Sequence, residues 1–142
     1  MSGQQFWKRT ALVSVVAAVS NVGVYVIAKA AGVELLVPQG PTPTALGVAP
    51  VILFTIVPLV LAAVLLLVLR RAGVTNPRVF GGIVVVVTLL SLAAPLSAAL
   101  TTSNKLSLAT MHVVAGLAAL VGLTPLSRTA STPAPTGSVS TA

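Results

Sequence analysis

Four long stretches of this chain carry no charged residue, and their spacing decides what it can fold into. Residues 10–28, 35–69, 79–104 and 106–127 contain no Asp, Glu, Lys or Arg. A helix needs about 20 apolar residues to cross the hydrocarbon core of a bilayer. The first, third and fourth stretches each accommodate one such helix. The second is longer, but Pro38, Pro41 and Pro43 stiffen its opening into a loop from Leu35 to Thr44. Four spans are therefore expected, near 10–31, 45–69, 80–100 and 106–126.

A soluble domain is excluded by surface chemistry. Charged residues make up 6% of the 142 positions and hydrophobic residues 56%, where an ordinary globular chain is about 25% charged. Eight Lys and Arg with one acidic residue, Glu34, cannot clothe a soluble fold of this size. The expected fold class is all-α, a four-transmembrane-helix bundle in the cell (inner or plasma) membrane.

The basic residues read as topology signals. Lys8 and Arg9 precede the first span, Arg70, Arg71 and Arg78 lie between the second and third, and Arg128 follows the fourth. All six fall on one side of a four-span chain, while Lys29, Glu34 and Lys105 fall on the other. Cytoplasmic loops are enriched in Lys and Arg, so both termini are expected in the cytoplasm. Residues 1–9 then form a cytoplasmic N-terminus, loose over 1–7 and with Trp7 at the membrane interface. Residues 127–142 are rich in Ser, Thr, Pro and Ala and are expected to be a disordered cytoplasmic tail. A rival assignment treats the first span as a signal peptide cleaved after Ala28-Lys29-Ala30. Lys29 inside that motif and Asn21 within the apolar run count against it. A basic chain also suggests nucleic acid, but these charges are scattered among apolar runs, and no nucleic-acid partner is expected. The expected partners are the lipid bilayer and either a second copy or another membrane protein.

The composition removes most chemistry. Without cysteine there is no disulfide, thiol redox step or Cys-held metal. One carboxylate leaves no carboxylate pair, and a Ser-His-Asp triad lacks its Asp. One histidine, His112, cannot build a multi-histidine metal site. No phosphate-binding or nucleotide motif is present. No cofactor, metal or catalytic residue is expected, and the chain is read as a non-enzyme.

Polar residues do recur on two helical faces. Ser14, Ala17, Ala18, Asn21, Tyr25, Ala28, Lys29 and Gly32 follow one another at helical spacing in the first span. Lys105, Ala109, His112, Ala115, Gly116 and Ala119 do so in the fourth. Small residues let membrane helices approach closely, so both stripes should face inward. Counting 1.5 Å per residue from the outer ends places Asn21, Tyr25 and His112 at similar depth, roughly 10–16 Å below the surface. They form a candidate interior cluster in the outer half of the bundle. It is either a functional polar site or hydrogen-bonding glue between helices. Lys29 and Lys105 are expected to reach for outer headgroups, with Glu34 as an alternative partner. Pro50, Pro58 and Pro95 lie within spans and are candidate kinks, and Asn104 or Ser103 is a candidate N-cap for the fourth helix.

Asn21 and Tyr25, the segment Ala31-Gly32-Val33 to Val37-Pro38, the stretch Pro95-Leu96-Ser97 to Lys105, and Met111-His112 together resemble an uncharacterised family. It comprises small four-helix integral membrane proteins of high-GC bacteria, defined only as a domain of unknown function. The resemblance spans about residues 9 to 126 and implies four spans and no assigned activity. The function expected is a non-enzymatic interaction or envelope component. The alternatives are a small transporter or channel using the polar cluster, and, with least support, a membrane enzyme. Small multidrug transporters share the outline but depend on an intramembrane glutamate, which no span here contains.

Overall fold

A computed structural model describes residues 2–37, 42–98 and 100–127. Four helices run through it: α1 Gly3–Ala30, α2 Val48–Arg71, α3 Pro77–Ser97 and α4 Thr102–Ser127. Each is long and apolar enough to cross a membrane. The chain is thus an all-α, four-helix bundle of the multi-pass membrane type. Two short strands, β1 Leu36–Val37 and β2 Thr44–Ala45, pair antiparallel between α1 and α2.

The helices outrun the uncharged stretches because hydrogen bonding continues after the apolar sequence ends. α1 begins at Gly3, well ahead of the expected start of the first span. Ser2 and Gln5 form a reciprocal capping box there, with Ser2 Oγ accepting from the Gln5 amide at 3.2 Å. Phe6, expected in a loose segment, is buried instead. At 1.5 Å per residue α1 is about 42 Å long, longer than the roughly 30 Å of a bilayer's hydrocarbon core, and Lys8 and Arg9 lie within its first two turns. α1 and α2 both end in a Schellman motif. Gly32 (φ 76°) and Gly73 (φ 78°) take up the left-handed conformation that each motif requires. The Val33 and Val74 amides then reach back to the Ala28 and Leu69 carbonyls at 2.9 Å. Asn76 caps α3, accepting from the Arg78 amide at 3.0 Å, with Pro77 in the first helical position.

Two departures from the sequence expectations concern helix ends. Neither Ser103 nor Asn104 caps α4. Thr101 does, its hydroxyl accepting from the Asn104 amide at 3.3 Å, and Asn104 is buried within the first turns. Ser127 is not part of a tail. It is the buried last residue of α4, donating to the Thr124 carbonyl at 2.7 Å. The expected disordered tail beyond it, including Arg128, lies outside the described residues, as do Pro38 and Pro41 of the loop.

Two apolar clusters hold the bundle. One joins Phe6 of α1, Leu66 of α2, Phe80 of α3 and Leu126 of α4. It gathers the start of α1, the turn between α2 and α3, and the end of α4 at one end of the bundle. The helices therefore alternate in direction, and the first and last described residues share that end. The second cluster joins Ala28, Leu35, Leu46, Val51, Leu108 and Met111 beneath the β-hairpin at the opposite end. Packing between helices is uneven. α1 packs extensively on both α2 and α4, and α3 packs on α4, but α2 and α3 barely touch. Two glycines permit the tight seams. A Cβ at Gly122 of α4 would overlap the Val13 methyls of α1, and one at Gly116 would overlap Thr88 of α3.

Candidate functional site

Because α2 and α3 splay apart, a cleft of about 600 Å³ opens between them, with α4 as its back wall. Its walls are apolar: Phe54, Pro58, Leu61 and Leu65 on α2, Ile83, Val84 and Val87 on α3. Val37 and Leu46 of the hairpin region close one end. Polar groups are confined to Asn21, Thr55, Thr88, Ser91 and His112. An apolar pocket with a few convergent polar groups is the usual form of a small-molecule site.

Asn21 organises the deepest point. It is buried on α1, and its side-chain amide donates to Thr55 Oγ1 of α2 at 2.9 Å and to the Met111 carbonyl of α4 at 3.2 Å. Carbonyl oxygens only accept, so the Met111 contact fixes which end of the Asn21 amide is the nitrogen. The Thr55 hydroxyl in turn donates to the Val51 carbonyl at 2.7 Å. Asn21 thereby ties three helices together with hydrogen bonds shielded from water. Its Oδ1 is buried without a partner.

His112 sits one helical position round from the buried ridge of α4, half-buried against the cleft. Its Nδ1 lies 2.8 Å from the Leu108 carbonyl. That carbonyl can only accept, so Nδ1 carries the proton, and in the Nδ1-H tautomer Nε2 is the acceptor. Ser91 spends its proton on the Thr88 carbonyl at 2.7 Å. Pro58 has no N–H to offer the Phe54 carbonyl. Donors around the cleft are thus largely committed within the protein. His112 Nε2 and the Thr88 hydroxyl are among the groups left for a visitor.

The residues singled out in the sequence separate here. Asn21 and His112 line the same cleft. Their hydrogen bonds run to Thr55, Met111 and Leu108 rather than to each other. Tyr25 is half-buried against the cluster under the hairpin. Lys29 and Glu34 are exposed at the hairpin end, and Lys105 is half-buried there. Thr55 escaped sequence reasoning, although it is the lone polar residue between Val48 and Leu69 and is isolated enough to flag. The sequence suggests Asn104 only as a cap. Its amide instead donates to the Leu36 carbonyl at 3.1 Å and pins the hairpin onto α4. Among the described residues no group of three or more His, Cys, Asp or Glu comes together to hold a metal.

The model of a family of unknown function, DUF6069, matches residues 1–130. No match is found among curated proteins or among solved structures.

Proposed function

We propose, for a chain that belongs to DUF6069 and inherits no activity from it, a role in holding a neutral, largely apolar molecule taken from the bilayer. In this reading the protein is a non-enzymatic component of the plasma membrane, with both termini in the cytoplasm. The observation that carries it is the apolar cleft between α2 and α3, two helices long and apolar enough to cross a membrane. The chemistry of its wall narrows the visitor. No span contains a carboxylate, so a cation would enter hydrocarbon without a counter-charge, which is costly. His112 Nε2 accepts, so a hydroxyl or amide N–H on an apolar body is the complementary group. A lipid alcohol has that form.

The test is retention. The full chain is extracted into nanodiscs of its own membrane lipid, and bound molecules are identified by mass spectrometry after organic extraction. A hydroxyl-bearing neutral lipid should accompany the wild type in near-stoichiometric amount. Ala115→Trp, which fills the back wall, should remove it, and His112→Phe should weaken it. Equal recovery from wild type and Ala115→Trp overturns the reading. So does a second copy of the chain crosslinked across the cleft through cysteines at Phe54.

A second reading, a small transporter, draws on Pro58 and Pro95, which interrupt the hydrogen bonding of the two helices flanking the cleft. It requires a cysteine at Ser91 to become reactive from both sides of the membrane in turn.

A further inference from the structure

A second concavity lies on a different face of α4 from the α2–α3 cleft. It runs between the first turns of α1 and the last turns of α4, with a volume of about 680 Å³. Its trough is apolar, formed by Leu12 and Val16 of α1 and Ala118 and Val121 of α4. Lys8 and Arg9 stand at its rim. We propose that this groove is a binding site for one anionic glycerophospholipid, its acyl chain in the trough and its phosphate between Lys8 and Arg9.

Charge complementarity selects this occupant. Lys8 and Arg9 are exposed and adjacent. The lone acidic residue of the chain, Glu34, is exposed beyond the other end of α1. The helix between them runs 21 residues from Arg9 to Ala30, about 32 Å at helical rise, far beyond a Debye length at physiological salt. Among the described residues the protein therefore supplies no counter-charge for the pair. A phosphodiester does, and an Arg guanidinium binds phosphate oxygens in a two-pronged geometry that a lysine alone lacks. Depth agrees with charge. Trp7 is 44% exposed beside the pair, in the position an indole takes at the headgroup level. Leu12, Val16 and Val121 follow on the hydrocarbon side and are well exposed. A second copy of this chain would bring another Lys8 and Arg9 and would repel. A zwitterionic lipid would fill the trough but leave the pair's charge only partly met.

The experiment titrates the full-length protein, delipidated in neutral detergent, with phosphatidylglycerol or phosphatidylcholine of identical acyl chains. Bound lipid is counted by native mass spectrometry. Wild type should retain one phosphatidylglycerol at least tenfold more strongly than phosphatidylcholine, with the preference falling in high salt. Lys8→Gln with Arg9→Gln should erase the preference. Val121→Trp, which fills the trough and leaves both charges, should lose the lipid while melting as wild type does in phosphatidylcholine micelles. Inorganic phosphate in excess should not displace it. Equal retention of the two lipids by wild type overturns the proposal. So does a preference that survives the double charge variant, or one that survives Val121→Trp, or displacement by free phosphate.

Discussion

Substituting Gly122 by alanine tests how much of the bundle rests on close approach between α1 and α4. In water the hydrophobic effect would drive these helices together, but between lipids it does not, so contact and dispersion must carry the association. The added Cβ would fall within overlap distance of both Val13 methyls. The helices must part or Val13 must leave its rotamer, at a cost of about 1–3 kcal/mol for an overpacked site. Alanine also favours a helix over glycine by about 0.5–1 kcal/mol, which opposes that cost. The net expectation is a loss of up to about 2.5 kcal/mol, centred on about 1 kcal/mol. Gly82→Ala is the control, because nothing lies within 4 Å of a Cβ built there, and it should be neutral or slightly stabilising. Val13→Ala restores the space, so Gly122→Ala should cost less in that background, with a coupling of at least about 1 kcal/mol. The assay is reversible unfolding in mixed micelles by stepwise addition of sodium dodecyl sulfate. A Gly122→Ala protein as stable as Gly82→Ala, or losses that add without coupling, would refute the argument.

Further expectations follow from the polar contacts and the ends of the chain. Thr55→Val removes the acceptor for Asn21 and should cost about 1–2 kcal/mol in the same unfolding assay, since it leaves a buried amide hydrogen unpaired. Asn104→Leu frees the Leu36 carbonyl, and hydrogen exchange at the Leu46 amide, now bonded to the Leu35 carbonyl at 2.8 Å, should quicken while α1 exchange stays slow. Reporter fusions after Arg9, near Pro41, at Thr75 and after Arg128 should read in, out, in, in, and an external C-terminal reporter contradicts the charge argument. Truncation after Ser131 should leave the melting temperature in detergent within a few degrees of the full chain, and a larger drop would show that the tail docks.

The helices were legible because bilayer thickness acts on composition over long windows. Nine charges were enough to mark where each helix must lie. Their ends were less legible, because caps such as the Ser2–Gln5 box and Thr101 act over three residues and continue the helix beyond the lipid. The small-residue stripes correctly placed Ser14, Ala17, Ala18 and Asn21 in the interior. They did not reveal which helices they meet. Asn21 finds its partner on α2 because α1 packs on α2 as closely as on α4, and nothing in local periodicity expresses that arrangement. Helical spacing also grouped His112 with Gly116 and Ala119. The buried ridge of α4 runs through Leu108, Met111, Gly116 and Ala119 and leaves His112 half-buried at its edge, against the cleft. The cleft is a consequence of unequal packing between nonadjacent segments, and it has no local signature.

That unequal packing bears on how the chain can be divided. Since α2 and α3 barely touch, the turn at residues 72–76 does little more than keep two helical pairs in one molecule. One pair is α1 with α2, and the other is α3 with α4. Their main joint is the α1–α4 seam, closed by Val13 against Gly122 and by Phe6 with Leu126 in one cluster, with α2–α4 packing and the Asn104–Leu36 hydrogen bond beside it. A chain severed at Thr75 and expressed as two fragments should therefore insert as separate hairpins and reassemble by diffusion in the membrane plane. The turn sets the effective concentration of the two halves, and the seam sets their affinity.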